Sequence, residues 1–170
     1  MHYFAYGSNM SLSRLRARVP SAAALGCWAL KGHDLRFDKS SHDGSAKCDA
    51  YCTSDAGDVV FGVLFKMDPG EKPALDKAEG LGYGYDEKEV TLTAQDGALI
   101  TATTYFATNI DVHMKPYSWY LNHVLVGARE ALLPADYIEL RIASVVAVED
   151  SDRDRDARER AIHLLQGQSA

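Results

Sequence analysis

The sequence predicts a single α+β domain, because extended segments come first along the chain and helical periodicity appears mainly after them. Its 170 residues suit one domain and leave little room for two. Hydrophobic residues make up 46% and charged residues 25%, which is the balance of an ordinary globular chain. A hydrophobic core of normal size can therefore be buried.

Six segments are predicted to be strands, since each is apolar or rich in β-branched and aromatic residues and ends at a turn signal. In chain order they are residues 2–6, 24–37, 46–53, 59–67, 87–94 and 99–107. The last two are separated by Gln95-Asp96-Gly97, and Asp-Gly between two such runs is a strong hairpin signal.

Two short helices are predicted in the first half of the chain. Residues 11–18 have leucines three positions apart and end before Pro20. Residues 68–71 read Asp-Pro-Gly-Glu, which supplies an N-cap, a proline at the first helical position and a glutamate at the third. We expect the second helix to run to about Ala78 and to stop at Gly80.

After Pro116 the pattern becomes helical. The apolar residues that recur every three or four positions and predict one buried face are Trp119, Leu121, Val124, Leu125, Ala128 and Leu132. Pro134 interrupts this helix, and residues 135–148 follow with mixed periodicity. Charges of alternating sign in residues 149–160 nearly cancel, which is typical of a solvated linker and an exposed helix face rather than an interaction tail.

The charge balance and the cysteine content exclude several classes of protein. A net charge of -6 and a pI near 5.4 argue against nucleic acid as a partner, because phosphate binding needs a basic face. No apolar run approaches the roughly 18 residues of a membrane span, and the N-terminal residues lack the features of a signal peptide. Three cysteines, an odd number, give no disulfide framework. We expect a cytoplasmic protein with reduced thiols that binds neither nucleic acid nor a membrane.

Residues 3–10 read Tyr-Phe-Ala-Tyr-Gly-Ser-Asn-Met and lead from a predicted buried strand through a turn into a helix. Gly7 lets the backbone turn sharply and approach a ligand closely. The N–H groups of Ser8, Asn9 and Met10 would lie near a helix N-terminus, where they can bind a carboxylate or stabilise a developing oxyanion. An ordinary turn capped by Ser or Asn is the more common explanation of such spacing.

Glu79 ends the second predicted helix, directly before residues 80–85, which read Gly-Leu-Gly-Tyr-Gly-Tyr. A carboxylate there opposes the helix macrodipole, and an aromatic, glycine-walled pocket would disfavour its charged form. Such a group transfers protons well near neutral pH. The alternative, a solvent-exposed glutamate before a flexible turn, is more common on local grounds. The glycines do not match the dinucleotide-binding fingerprint, because they follow a helix rather than a strand.

These segments resemble a known family. Residues 3–10 look like the N-terminal signature of the γ-glutamylcyclotransferases and their relatives. Residues 75–80, with Gly84 after them, are similar to that family's catalytic-glutamate segment. Tyr120 and residues 127–134 beyond it resemble the helix that closes the family's substrate pocket. The resemblance extends from the first strand to about residue 142.

The resemblance implies a small α+β fold with a compact, mixed, barrel-like sheet, flanking helices and a cavity for a γ-glutamyl group. It predicts a γ-glutamylcyclotransferase-like domain over residues 1–148. Residues 149–170 are then a charged C-terminal extension that is partly helical. The aromatic residue after Gly84 is Tyr85, one position earlier than the family pattern leads us to expect.

The reaction implied by the resemblance is an intramolecular acyl transfer. The α-amine of the substrate attacks its own γ-amide carbonyl, and 5-oxoproline and a free amino acid or amine are released, as in glutathione metabolism. The partner is a small γ-glutamyl compound, no metal or cofactor is needed, and a homodimer is allowed. By motif position, Glu79 matches the general acid/base of a lyase-type release. The residues that match the substrate-binding positions are Tyr3, Phe4, Ala5, Tyr6, Gly7, Ser8, Asn9 and Tyr120.

Other chemistry fits the residues less well. The cysteines and histidines lack the spacing of zinc ligands, so we predict no metal site. A hydrolase using Ser8 would lack the Gly-x-Ser-x-Gly elbow. Two alternatives stay open: a cyclotransferase for γ-glutamylamines or γ-glutamyl natural products, and a non-catalytic small-molecule binding domain on the same fold.

Overall fold

The computed structural model describes residues 1–164, which form seven strands, five α-helices, two short 3-10 helices and one π-helix (Ile138–Ala143). The strands are β1 (His2–Ala5), β2 (Ala23–Lys31), β3 (His33–Ser40), β4 (Ala46–Cys52), β5 (Val59–Lys66), β6 (Tyr85–Thr93) and β7 (Leu99–Ala107). The helices are α1 (Leu12–Arg16), α2 (Lys72–Glu79), α3 (Ser118–Glu130), α4 (Ala135–Tyr137) and α5 (Arg153–Leu164). None of the helices within residues 1–164 is long and apolar enough to cross a membrane.

Five strands form a closed barrel in the order β1-β5-β2-β6-β7. Neighbouring strands are antiparallel except at the closure, where β1 runs parallel to β7 and Tyr3 lies opposite Thr103. The predicted α+β fold with a mixed, barrel-like sheet is therefore confirmed. Closure matters because it leaves the barrel without an unpaired edge along β1.

The single strand predicted over residues 24–37 is wrong, because the chain forms two strands there. β2 ends at Lys31, and Gly32 takes a left-handed conformation with φ of 73° that glycine adopts readily. β3 then leaves the barrel and pairs with β4 as a separate hairpin. The Asp49 carboxylate accepts a hydrogen bond of 2.8 Å from the backbone N–H of Ala107, which fastens this hairpin to the end of β7.

The helix predicted from residue 68 is confirmed at both ends. The Asp68 carboxylate accepts a hydrogen bond of 2.8 Å from the N–H of Gly70 and caps a short 3-10 turn that leads into α2. Helix α2 ends at Glu79, and Gly80 follows in the left-handed conformation with φ of 71°. The helix predicted over residues 11–18 is shorter than expected and comprises α1 alone.

Helix α3 buries most of the apolar face predicted for it, including Trp119, Val124 and Ala128, while Leu125 is half-buried. Leu132 does not belong to that face: it follows the end of α3 with φ of 54° and is 85% exposed. The turn places Leu133 in the core instead, with its N–H bonded to the carbonyl of Ala128. The spacing of three or four residues therefore predicts which side chains are buried only as far as the end of α3.

The charged C-terminal segment is not simply solvated, which corrects the expectation for residues 149–160. Helix α5 packs on α1 and α3, and its Glu159 carboxylate accepts a hydrogen bond of 2.5 Å from Arg14. The buried Asp150 carboxylate accepts a hydrogen bond of 2.8 Å from the indole of Trp119. The helical content predicted for the extension is present in α5, whereas residues 165–170 lie outside the described residues. The domain boundary at residue 148 stays a prediction.

Candidate active site

Two adjacent chambers lie where the β1–α1 loop, the end of α2, the β3–β4 hairpin and α3 meet. The outer chamber has a volume of about 340 Å³ and the inner one about 30 Å³. The residues that line both chambers are Ser8, Glu79, Tyr85 and Tyr120. A ligand bound in the inner chamber would therefore meet Glu79 at the passage into the outer one.

The loop after β1 forms a 3-10 turn over Ser8–Met10 before α1 begins. The N–H of Met10 donates to the carbonyl of Gly7 over 3.0 Å, so it is not available to a ligand, contrary to expectation. The first N–H groups of a helical turn have no partner within it, which leaves those of Ser8 and Asn9 for a ligand. Both residues line the inner chamber.

Asn9 is the hydrogen-bonding centre of the site. Its side-chain amide donates to the Glu79 carboxylate over 2.7 Å and to the hydroxyl of Tyr3 over 3.1 Å. Its carbonyl oxygen accepts a hydrogen bond of 2.8 Å from the Arg18 guanidinium. An arginine is always a donor, so this contact determines which end of the amide faces Glu79. Asn9 thereby holds the carboxylate at the end of α2 against the loop after β1.

Burial and the neighbouring groups act in opposite directions on the pKa of Glu79. Its side chain is 16% exposed, and burial raises its pKa above the ordinary value because the charged form loses hydration. Arg18, whose guanidinium lies 3.8 Å from the carboxylate, and the hydrogen bond from Asn9 both oppose that rise. The net direction is upward, toward the pH range in which a carboxylate can both accept and return a proton.

Tyrosine side chains form the wall opposite Glu79. The hydroxyl of Tyr120 accepts a hydrogen bond of 2.9 Å from the N–H of Cys48, so its own proton can be donated to a ligand. The hydroxyl of Tyr85 donates to the carbonyl of Cys48 over 2.6 Å. A Cβ atom on Gly7 would lie 3.2 Å from the Tyr120 oxygen, so that hydroxyl projects over the loop. Tyr85, although one position earlier than expected, contributes to both chambers.

Most of the residues that the sequence predicts for the site meet in these chambers: Tyr3, Tyr6, Gly7, Ser8, Asn9, Glu79 and Tyr120. Phe4 and Ala5 are buried in the core and line neither chamber, so the structure contradicts their assignment to substrate binding. The ring of Phe4 packs beside Gly62 in β5. Successive residues of a strand point to opposite faces, so Phe4 points away from the face that carries Tyr3, whereas this alternation does not account for Ala5, which shares the face of Tyr3.

Several lining residues were not found by sequence reasoning. Arg18 lies four positions after Arg14 in the helix predicted over residues 11–18, and this spacing indicates a shared face of that helix, although α1 itself ends at Arg16. Tyr105 lines the inner chamber from β7, and its carbonyl accepts a hydrogen bond of 2.6 Å from Tyr6. Lys39 enters through the β3–β4 hairpin, beyond the end of the strand that the sequence predicted. Within residues 1–164, no group of three or more His, Cys, Asp or Glu side chains is placed to hold a metal ion.

A largely buried carboxylate beside the first N–H groups of a helical turn, in a chain built on a closed mixed barrel, is typical of a site for acid–base chemistry. Residues 59–140 match the family model described as AIG2-like. The chain is 34% identical to γ-glutamylcyclotransferase of Homo sapiens over 158 residues, covering 88% of this chain and 79% of that protein. It is 35% identical to the protein of that name from Bos taurus over 143 residues, covering 79% and 73%.

The structural comparison agrees with the sequence comparison. A solved structure of a γ-glutamyl cyclotransferase matches with a TM-score of 0.83 and 28% identity, covering 95% of this chain and 98% of that one. The chain therefore belongs to the γ-glutamylcyclotransferase family, a family of enzymes.

Proposed function

We propose that this protein is a γ-glutamylcyclotransferase that converts a γ-glutamyl compound into 5-oxoproline and a free amine. The observation that carries the proposal is the position of Glu79, a partly desolvated carboxylate held 2.7 Å from Asn9 at the passage between the two chambers. The names of the relatives support the same reaction.

In the proposed complex, the γ-amide lies at the passage beside Glu79, its carbonyl oxygen enters the inner chamber, whose volume of about 30 Å³ is too small for a whole γ-glutamyl group, and the leaving amine extends into the outer chamber. The N–H groups of Ser8 and Asn9 face the γ-carbonyl oxygen, where negative charge develops as the carbon becomes tetrahedral. The Tyr120 hydroxyl adds a donor from the opposite wall. The chain mainly holds the folded conformer of the substrate, because nucleophile and electrophile already belong to one molecule.

Two protons pass from the α-nitrogen to the leaving nitrogen. Glu79 accepts the first from the substrate α-ammonium, and the resulting amine attacks the γ-carbonyl carbon to give a tetrahedral intermediate. Glu79 returns this proton to the leaving nitrogen as the C–N bond breaks and the carbonyl re-forms, and the second proton, which the ring nitrogen sheds as it becomes the lactam amide, is taken up by the released amine. Substrate atoms are conserved in the two products without water, metal or nucleotide. The reaction is an intramolecular acyl transfer with lyase-type release, and it would place the protein in the turnover of glutathione-related compounds.

Replacing Glu79 by Gln tests this assignment. The amide keeps the size and an acceptor for Asn9 but cannot cycle a proton, so kcat for 5-oxoproline release should fall about a hundredfold to ten-thousandfold. Substrate affinity, measured by calorimetric titration, should change much less. Glu89→Gln, an exposed change in β6, is the matched control and should leave kcat unchanged.

Near-normal turnover of Glu79→Gln on the best substrate would place the proton shuttle elsewhere. Treatment of the wild-type protein with EDTA should leave its activity intact, and zinc-dependent recovery would contradict the proposed route. The cytoplasmic location and the homodimer remain predictions.

A further inference from the structure

The outer chamber is strongly cationic, although the whole chain carries a net charge of -6. The cationic side chains that line it are Arg14, Arg18, Lys39, Lys47 and Lys77. Among the described residues that line this chamber, Glu79 is the single carboxylate. A chamber of this composition attracts anions.

Most of these cations have carboxylate partners or are solvated. The pairs are Arg14 with Glu159 at 2.5 Å, Arg18 with Glu79 at 3.8 Å, and Lys47 with Asp43 at 2.7 Å. Lys77 is exposed to solvent at the mouth of the chamber. Lys39 differs from all of them, because it forms no ion pair within the part of the chain that the structure describes.

Lys39 is also buried, with 7% of its surface exposed. Its ammonium lies 4.7 Å from the centre of the Tyr85 ring, and a Cβ atom on Gly84 would come within 2.8 Å of it. Burial lowers the pKa of Lys39, although Glu79 and Asp43 partly oppose this. Burying an ammonium without a carboxylate partner costs free energy, so its place on the chamber wall needs a compensating gain.

The β3–β4 hairpin adds a second unfavourable feature. Lys39 lies directly opposite Lys47 across the two strands, and both side chains line the outer chamber. Like charges in directly opposite positions destabilise a sheet. Asp43 forms a hydrogen bond of 2.7 Å with Lys47, whereas Glu79 and Asp43 act on Lys39 from beyond ion-pair distance, so the described residues compensate the charge of Lys39 only in part. An anion in the chamber would relieve it.

We propose, on the basis of the cyclotransferase function above, that Lys39 determines specificity by binding a carboxylate on the leaving half of the substrate. Glu79 borders both chambers, so the bond that breaks lies at the passage and the leaving amine projects toward Lys39. The preferred substrates are then γ-glutamyl amino acids or peptides. Compounds whose leaving amine is neutral or cationic are poor substrates, because Lys39 stays unpaired.

Two substrates that differ in one group test the proposal: γ-glutamyl-alanine, and γ-glutamyl-alaninamide, in which a carboxamide replaces the terminal carboxylate. A hydrogen bond between charged groups contributes enough to make kcat/KM of the wild-type protein about tenfold to a hundredfold higher for the carboxylate. Lys39→Met, which keeps the length of the side chain without its charge, should abolish that preference. It should act mainly by raising KM for γ-glutamyl-alanine and leave γ-glutamyl-alaninamide nearly unaffected.

The controls separate this role from a structural one. Lys66→Met, an exposed change at the end of β5, should leave the preference intact, and Lys39→Arg should retain it in part. The melting temperature of Lys39→Met should not fall below that of the wild type, because an unpaired buried charge is removed.

Each outcome has a distinct meaning. Equal use of both substrates by the wild type would overturn the role of Lys39 while leaving the cyclotransferase function standing. An equal loss on both substrates in Lys39→Met would also overturn that role. Release of 5-oxoproline from neither substrate by the wild type would contradict the cyclotransferase function itself.

Discussion

The contact between Gly127 and the loop after β1 predicts that Gly127→Ala will damage both stability and activity. A Cβ atom on Gly127 would lie 2.3 Å from the backbone nitrogen of Ser11 and 2.5 Å from the carbonyl carbon of Met10. Favourable contacts need about 3.5 Å, so α3 and the loop must separate by about 1 Å. These are backbone atoms, which cannot rotate out of the way as a side chain could.

The expected magnitude combines two opposing effects. Alanine favours the helix over glycine by about 1 kcal/mol, whereas forcing extra volume into a packed interior costs about 1–3 kcal/mol and sometimes more. With two backbone clashes we expect the upper end, a net loss of about 2 kcal/mol. A displacement of about 1 Å at the adjoining loop can lower kcat/KM about a hundredfold, since Ser8 and Asn9 are proposed to meet the substrate.

Urea unfolding and steady-state 5-oxoproline release measure the two effects separately. Arg129→Ala, on the exposed face of the same helix, is the control and should change neither by much. If Gly127→Ala had wild-type stability and a wild-type kcat/KM, the packing of α3 against this loop would not position the site.

Two further predictions concern charge. Asn9→Asp would place a second carboxylate where the amide now donates to Glu79 over 2.7 Å, so the pKa of Glu79 should rise. The acid limb of the pH profile of kcat/KM should then move to higher pH. An acid limb at the wild-type pH would contradict this prediction. Burial lowers the pKa of His123 from 6.5 to about 4. Between pH 6.5 and pH 4, the unfolded chain therefore binds a proton at His123 that the folded chain does not bind. The free energy of unfolding should fall by about 3 kcal/mol on acidification through this range. Although burial alone would raise it, the pKa of Glu159 is lowered to about 2 by His123 and Arg14, which adds a loss in the same direction below pH 4.5. Urea unfolding at pH 7, 5.5 and 4 measures this slope, and greater stability at pH 4 would refute it.

Local features of the fold were predictable because their causes lie within a few residues of each other. Asp68 caps its helix through a hydrogen bond to Gly70, and Gly80 ends α2 in a conformation that glycine favours. The hairpin of β6 and β7 follows from Asp96-Gly97 and two β-rich flanks. The prediction of one strand over residues 24–37 failed at a single residue. Gly32 takes a left-handed conformation, and the chain on either side of it forms two strands that belong to different sheets.

Some features of the candidate site were likewise predictable from local sequence, and others were not. The segments that carry the motifs, and the position of Glu79 at the end of its helix, could be predicted from the sequence because turn and cap chemistry is local. Tertiary structure alone decided that Asn9 meets Glu79 and that Phe4 faces away from the cavity. It also decided that Lys39 lies on the β3–β4 hairpin and lines the outer chamber, whereas the sequence predicted a strand that ends at residue 37. These contacts depend on strand register and on the packing of α3 against the barrel, and each is the outcome of many distant interactions that no short stretch of sequence contains.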